Sequence, residues 1–212
     1  MRILIADDHA VLRKGLKQIL SDEFPRTEFG EAGSTQQTLD LLHKNKWDVL
    51  VLDINMPGRS GLEVLREARQ HLPNVPVLVL SSTPEDQLAL RVLKAGAAGY
   101  LNKQTALEEL VQAVRKVLAG GKYVSIKLAD KLVAEVGRSE KAPHEQLSDR
   151  EFQVMQMIAA GRSLKEIAAE LSLSAKTIST FRGRVIEKLN VQNNVELAHY
   201  ARTHDLIPEQ SP

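Results

Sequence analysis

Val49-Leu50-Val51-Leu52, followed by Asp53-Ile54-Asn55-Met56-Pro57-Gly58, reads as a wholly apolar strand that ends on a carboxylate. Four consecutive apolar residues, bounded by polar and turn-forming ones, suit a strand buried on both faces. The same alternation recurs on either side. Ile3-Leu4-Ile5-Ala6 is a strand followed by a helix with Leu12, Leu16, Ile19 and Leu20 on one face. Glu28 to Ala32 is a weaker strand before a helix carrying Leu39, Leu41 and Leu42. After Asp53 come a helix with Leu62, Leu65 and Ala68, a strand from Val75 to Leu80, and a helix with Leu88, Val92 and Leu93. Gly99-Tyr100-Leu101 is a short fifth strand, and Leu107, Leu110, Val111, Val114 and Leu118 mark the last stripe. Five such units predict an α/β domain over residues 1–120, a doubly wound five-stranded parallel sheet with helices on both faces.

The pattern changes after Gly120-Gly121. A short helix through Leu128, Leu132, Val133 and Val136 leads into a polar stretch from Gly137 to Gln146, which reads as a linker, so residues 121–145 connect two domains. Residues 146–212 predict a small all-α domain of four helices. Ser148-Asp149-Arg150-Glu151 and Ser163-Leu164-Lys165-Glu166 are capping boxes. Ser174 caps a third helix, from about Ala175 to Leu189, and a fourth runs from about Asn193 to Thr203.

The chain has 212 residues, of which 43% are hydrophobic and 26% charged, and these values exclude a mostly disordered or fibrous protein. With no cysteine there is no disulfide, no thiolate metal centre and no thiol nucleophile. Apolar runs are strand-sized, and Asp7-Asp8 interrupts the N-terminal run too early for a signal peptide, so a cytoplasmic protein without membrane contact is expected.

Ligands of doubly wound sheets bind beyond the carboxyl ends of the strands. Asp7 and Asp8 follow the first strand, Asp53 the third, Ser81 the fourth and Lys103 the fifth. Each alone has a plain explanation as a cap, a turn residue or a solvated surface group. Together they predict a charged pocket. Two carboxylates ~4 Å apart repel by about 4 kcal/mol at an effective dielectric near 20, so three need a cation. Hard oxygen ligands select Mg2+ or a similar divalent ion. Asp53 can then act as a nucleophile toward a phosphoryl group, with Lys103 offsetting charge and Ser81 donating to an oxygen.

These residues, together with Leu80-Ser81-Ser82 and the run from Lys94 to Lys103, resemble the receiver domain of two-component response regulators over about residues 1–120. The resemblance implies that Asp53 is the phosphorylated aspartate. It also implies that Asp8, Asp53 and the main-chain carbonyl of Asn55 hold Mg2+, with Asp7 assisting through water. Ser81 and Tyr100 become the switch pair, and Lys103 the phosphate-binding lysine. Gln104 stands where proline is frequent, so a trans peptide is expected after Lys103.

From Gln146 onward, eight basic residues balance eight acidic ones, but Lys176 to Lys188 carries Lys176, Arg182, Arg184 and Lys188 against Glu187 alone. Ile178, Phe181, Val185 and Leu189 form that helix's apolar stripe. Its tight connection to the preceding helix, through Ser172-Leu173-Ser174, predicts a helix-turn-helix. The words Leu147-Ser148-Asp149-Arg150-Glu151, Lys165-Glu166-Ile167-Ala168-Ala169-Glu170-Leu171 and Ser174-Ala175-Lys176-Thr177-Ile178 resemble the LuxR-type domain over about residues 145–207. Leu164 and Phe181 depart from the asparagine and histidine frequent there. The whole chain thus resembles a NarL/FixJ-type response regulator.

Lys165, Lys176, Thr177, Arg182, Arg184 and Lys188 are the expected DNA phosphate contacts. Ser179 and Thr180 are expected at base edges, with Gly183 allowing close approach. So small a local charge predicts weak binding by one module, hence a homodimer on paired half-sites; Val195, Leu197 and Ala198, near Ala201, read either as a contact surface or as internal core. The resemblance implies a histidine kinase as phosphodonor, double-stranded promoter DNA as target, and no enzyme activity beyond the receiver's own phosphoryl chemistry. Two alternatives stay open: a phosphate-independent DNA-binding regulator, and an aspartyl-phosphate hydrolase. The hydrolase usually needs a second carboxylate where this chain has Asn55.

Overall fold

A computed structural model describes residues 1–56, 60–83, 85–125, 128–130, 142–204 and 206–207. The motif residues Pro57 and Gly58, the expected helix residues Leu132, Val133 and Val136, and linker residues 137–141 lie outside the described ones. The chain divides into two compact units, Met1–Leu132 and Val133–Pro212.

The first unit alternates strands and helices. They are β1 (Arg2–Ala6), α1 (Ala10–Glu23), β2 (Glu28–Ala32), α2 (Thr35–Lys44), β3 (Val49–Asp53), α3 (Gly61–His71), β4 (Val77–Ser81), α4 (Glu85–Lys94), β5 (Gly99–Asn102) and α5 (Ala106–Leu118). All strand pairings are parallel, in the order β2-β1-β3-β4-β5. This order turns back at β1, so right-handed crossovers place α1 and α5 on one face and α2, α3 and α4 on the other. The expected doubly wound sheet is the one observed. β3 and β4 are buried at every position, the reason they read as unbroken apolar runs. Leu16, Leu20, Leu110, Ala113 and Val114 cover the α1/α5 face.

One boundary differs from expectation. The fourth strand starts at Val77 rather than Val75 and extends through Ser81. Pro76 has no N–H for the ladder and contributes only its carbonyl, which accepts from Leu50 N at 3.0 Å. Ser81 continues the strand because it pairs with Asn102 of β5.

The segment after α5 belongs with this unit. Tyr123 bridges to Gly99 in parallel, and a Cβ on Gly99 would lie 2.7 Å from the Tyr123 carbonyl oxygen, so only glycine fits. Ser125 Oγ donates to Glu85 and accepts from Leu128 N at 3.1 Å. Part of the stretch assigned from sequence to the connection, 121–145, therefore packs on the sheet domain.

In the second unit a 3-10 turn, Pro143–Gln146, precedes α6 (Asp149–Ala159), α7 (Leu164–Glu170), α8 (Ala175–Leu189) and α9 (Asn194–Thr203). The turn corrects the reading of an irregular linker up to Gln146: Pro143 presets the first φ, and buried Leu147 anchors the exit. Both capping boxes form, on Ser148/Glu151 and Ser163/Glu166. Ser174 Oγ accepts from Thr177 N, and Asn193 caps α9. The α7–α8 turn holds Ser172 at φ 54°, which lets Leu173 N reach Ala168 O at 2.9 Å.

Candidate functional site

Strand register gathers the acidic pocket. Ala6 pairs with Leu52, Asp53 with Leu80, and Ser81 with Asn102. Asp7 and Lys103 therefore lie one residue beyond paired strand ends, and Asp53 and Ser81 are themselves terminal residues. This is the carboxyl edge of β1, β3, β4 and β5, at the point where strand order reverses.

Asp7, Asp53 and Ser81 are fully buried, whereas the Asp8 side chain is 30% exposed. Lys103 Nζ stands 2.6 Å from Asp53 Oδ2 and 2.9 Å from Asp7 Oδ2, bridging the two carboxylates. Asp53 Oδ1 accepts from Asn55 N at 2.9 Å, which fixes the carboxylate plane. Burial pushes the Asp53 carboxyl up to about 6, and Asp7 adds to the rise, although Lys103 and the Asn55 N–H oppose it. For Lys103, burial works against the charge, yet Asp53 and Asp7 hold the ammonium above its ordinary value. The pair is a strained electrostatic compromise: two interior negative charges share one positive.

The donor set fits a hard divalent cation. Asp7, Asp8, His9 and Asp53 each bring one potential ligand atom within 4.8 Å of the others. Asp7 Oδ2 is buried and shares the single Lys103 ammonium with Asp53 Oδ2. Two buried carboxylates that share one ammonium are incompletely neutralised, and a divalent cation with its waters would offset the remaining charge.

Ser81 Oγ accepts from Thr83 N at 3.0 Å and from Asn55 Nδ2 at 3.3 Å. The Tyr100 ring is buried, and its hydroxyl donates to the Thr83 carbonyl. Thr83 thus links the two expected switch residues, a role the sequence reading missed. His9 was also missed, although it directly follows Asp7-Asp8. Its Nδ1 lies 2.8 Å from Asp8 Oδ1, and its N–H donates to Asp7 Oδ1 at 2.7 Å. Arg13 fixes the same loop by donating to Asp7 O at 2.6 Å. The Lys103–Gln104 peptide is trans, as expected. An open cleft of about 530 Å³ beside Lys103 is lined by His9, Val11, Leu12, Ser82 and Leu107.

In the second unit, Lys176, Ser179, Thr180, Gly183 and Arg184 recur at helical spacing along α8 and are all exposed. Nothing lies within 4 Å of a Cβ built on Gly183. Ile178, Val185 and Leu189 face the core, and Phe181 is half-buried beside them. Lys165 is exposed on α7, and Thr177 pairs its hydroxyl with Ser174 at 2.7 Å. Two expected phosphate contacts are engaged internally. Arg182 Nε donates to Asn194 Oδ1 at 2.6 Å, and Lys188 Nζ donates to buried Glu151 at 2.6 Å. Of the residues read as either dimer surface or core, Leu197 and Ala201 are core, while Val195 is 79% exposed.

An α/β domain with this carboxylate–lysine pocket, followed by a helix-turn-helix unit, defines a signal-responsive DNA-binding regulator. The chain matches the response regulator receiver domain over residues 3–115 and the bacterial regulatory proteins, luxR family, over residues 145–201. It belongs to the response regulators, of the NarL/FixJ type. It is 37% identical to the response regulator GacA of Pseudomonas aeruginosa, covering 100% of both chains. It is 36% identical to the response regulator UvrY of Escherichia coli K12, over 97% of this chain and 95% of that one. Among solved structures, Salmonella typhimurium RcsB matches with a TM-score of 0.69 at 26% identity, covering 96% of this chain and 98% of that one. RcsB of Salmonella enterica serovar Typhimurium bound to promoter rprA with the phosphomimetic BeF3- matches with a TM-score of 0.61 at 28% identity, covering 96% and 99%.

Proposed function

We propose that this response regulator accepts a phosphoryl group on Asp53 from a histidine kinase and that the acylphosphate controls its binding to promoter DNA as a homodimer in the cytoplasm. The observation that carries this reading is the Lys103 ammonium held between Asp53 and Asp7 in a buried pocket. An Asp53 carboxylate oxygen attacks phosphorus as the bond to the donor nitrogen breaks. Lys103 turns from the carboxylate to an oxygen of the transferred group. Asp8, Asp53 and the Asn55 carbonyl would hold Mg2+, with Asp7 acting through water, and the ion supplies charge neutralisation for the phosphoryl oxygens. The open cleft beside Lys103, with Val11 86% exposed, gives a donor domain room to approach.

Ser81 Oγ is held by Thr83 N and Asn55 Nδ2, so drawing it toward a phosphoryl oxygen disturbs the Thr83 carbonyl that Tyr100 uses. A move of Tyr100 in turn bears on the Tyr123 segment, which bonds to its main chain. Shifting such a switch from 1:99 to 99:1 needs about 5.5 kcal/mol, a demanding figure for one phosphate, so partial activity without phosphate is expected.

On DNA, α8 presents Lys176 and Arg184 to phosphates and Ser179 and Thr180 to base edges, with Gly183 permitting close approach; Lys165 adds a contact from α7. Val195 offers an apolar point for pairing two copies.

The test is incubation of the full chain with acetyl phosphate and Mg2+, followed by intact-mass and gel-shift analysis on a promoter library. Gain of one phosphoryl group on the wild type but not on Asp53→Asn, with tighter DNA binding, supports the reading. Equal DNA binding with and without the donor would favour a phosphate-independent regulator. Sustained turnover of the donor far above one equivalent would favour a hydrolase.

A further inference from the structure

A second group of metal-ligand types lies outside the acidic pocket, on the face formed by α2 and α3. His43 sits in the last turn of α2. Glu67 and His71 are one turn apart at the end of α3. The two imidazoles meet edge to face with centroids 4.8 Å apart, and His43 Nε2 is 3.7 Å from Glu67 Oε1. One donor atom from each of the three residues lies within 4.8 Å of the other two. Tetrahedral zinc bonds of about 2.0–2.2 Å place donor atoms roughly 3.3–3.5 Å apart, so closing the set takes only small side-chain rotations. His43 and His71 are exposed and free to make them, while the Glu67 side chain is only 22% exposed and supplies a fixed third corner. Both helices also direct their carbonyl ends toward this region, which favours positive charge.

We propose that His43, Glu67 and His71 form a surface site for a borderline divalent transition ion, with water completing four-coordination, that fastens the end of α2 to the end of α3. Two imidazoles and one carboxylate select zinc, cobalt or nickel over magnesium, whereas the Asp7/Asp8/Asp53 pocket offers mainly hard oxygen. The two sites therefore sort ions by chemistry. Ion binding here ties together neighbouring helices on the sheet face opposite α1 and α5 and needs no phosphoryl transfer.

The experiment is a zinc titration of the full chain by calorimetry with excess Mg2+ present, repeated with Co2+ followed by visible absorption. The expected result is one zinc per chain with a Kd of about 10 μM or tighter, and a cobalt spectrum showing nitrogen ligation. His43→Ala and His71→Ala should each weaken binding at least about tenfold, since even loss of a partner outside the ligand shell costs that much. Both positions are exposed, and circular dichroism checks that the variants fold. Asp8→Asn serves as the control for the acidic pocket and should leave the zinc isotherm unchanged. Weaker zinc binding in the wild type would overturn the proposal. So would an isotherm indifferent to both histidine variants, or one lost in Asp8→Asn and kept in the histidine variants, which would put zinc in the acidic pocket beside His9.

Discussion

The main-chain nitrogen of Tyr100 donates to the carbonyl oxygen of Tyr123 at 3.2 Å, and Tyr123 N returns a bond to Ala98 O at 2.9 Å. The residue whose hydroxyl reaches Thr83, in the loop after β4, thus shares a ladder with the chain leaving the sheet domain. Tyr123 adds a 2.9 Å bond from its hydroxyl to Glu109, and burial together with Glu109 pushes its phenol up to about 12, so it stays a donor. Replacing Tyr123 with alanine should loosen this strip, because the ring's packing on the α5 side is lost. Amide exchange at Tyr100 should then speed up clearly, while Tyr123→Phe, which loses only the hydroxyl, should produce a smaller change. Unaltered exchange at Tyr100 in both variants would break the proposed link.

Asp53 makes the receiver less stable as it ionises. Its folded value of about 6 exceeds the ordinary 3.8, so between those pH values the folded chain holds a proton that the unfolded chain has released. Stability from this group is present at low pH and declines as pH rises through about 4 to 6. In a chelator-containing buffer, Asp53→Asn should be more stable than wild type at pH 7 by about 1–3 kcal/mol, and the difference should vanish near pH 4. Urea unfolding followed by Trp47 fluorescence measures it, since Trp47 is the chain's one tryptophan and is buried in this domain.

Glu151 behaves in the opposite sense. Burial alone would raise its carboxyl, but Lys188 and the Ser148 N–H outweigh burial and hold it below the usual range. This contribution is present above the unfolded value near 4.5 and is lost as pH falls through the lower folded value. Glu151→Gln should lower the stability of the helical domain by about 1–2 kcal/mol at pH 7 and by much less in acid. Calorimetric melting of the full chain at a series of pH values would show the domain's transition moving.

Arg184 and Lys188 carry the same charge but differ in engagement, so they should differ on DNA. Arg184→Ala should reduce the slope of log affinity against log salt by about 0.9, the loss of one phosphate contact. Lys188→Ala should leave that slope nearly unchanged and instead lower the domain's melting temperature, because Lys188 joins α8 to Glu151 of α6. Equal slope losses for the two would return Lys188 to the DNA face.

Most of the architecture was legible because burial writes itself into composition. β3 and β4 are covered on both faces, so Val49 to Leu52 and Val77 to Leu80 could only be apolar. The caps at Ser148, Ser163 and Ser174 were legible for a related reason, since the first turn of a helix leaves N–H groups that a hydroxyl three residues back satisfies. Asp7, Asp8, Asp53, Ser81 and Lys103 could be grouped because parallel strands all point their carboxyl ends to one edge. The engagement of Arg182 and Lys188 was not legible. Their partners, Asn194 and Glu151, are 12 and 37 residues away, and nothing local in the sequence signals which charge meets which.

The sequence by itself determined two domains, the five-stranded parallel sheet, the helix-turn-helix order and the residues at the strand ends, because periodicity and capping are local properties. Only the tertiary structure decided that Lys103 bridges Asp53 and Asp7, that Thr83 joins Ser81 to Tyr100, and that His43 meets His71. Each of these depends on side-chain direction and distance between elements far apart in the chain, which packing fixes and no single segment encodes.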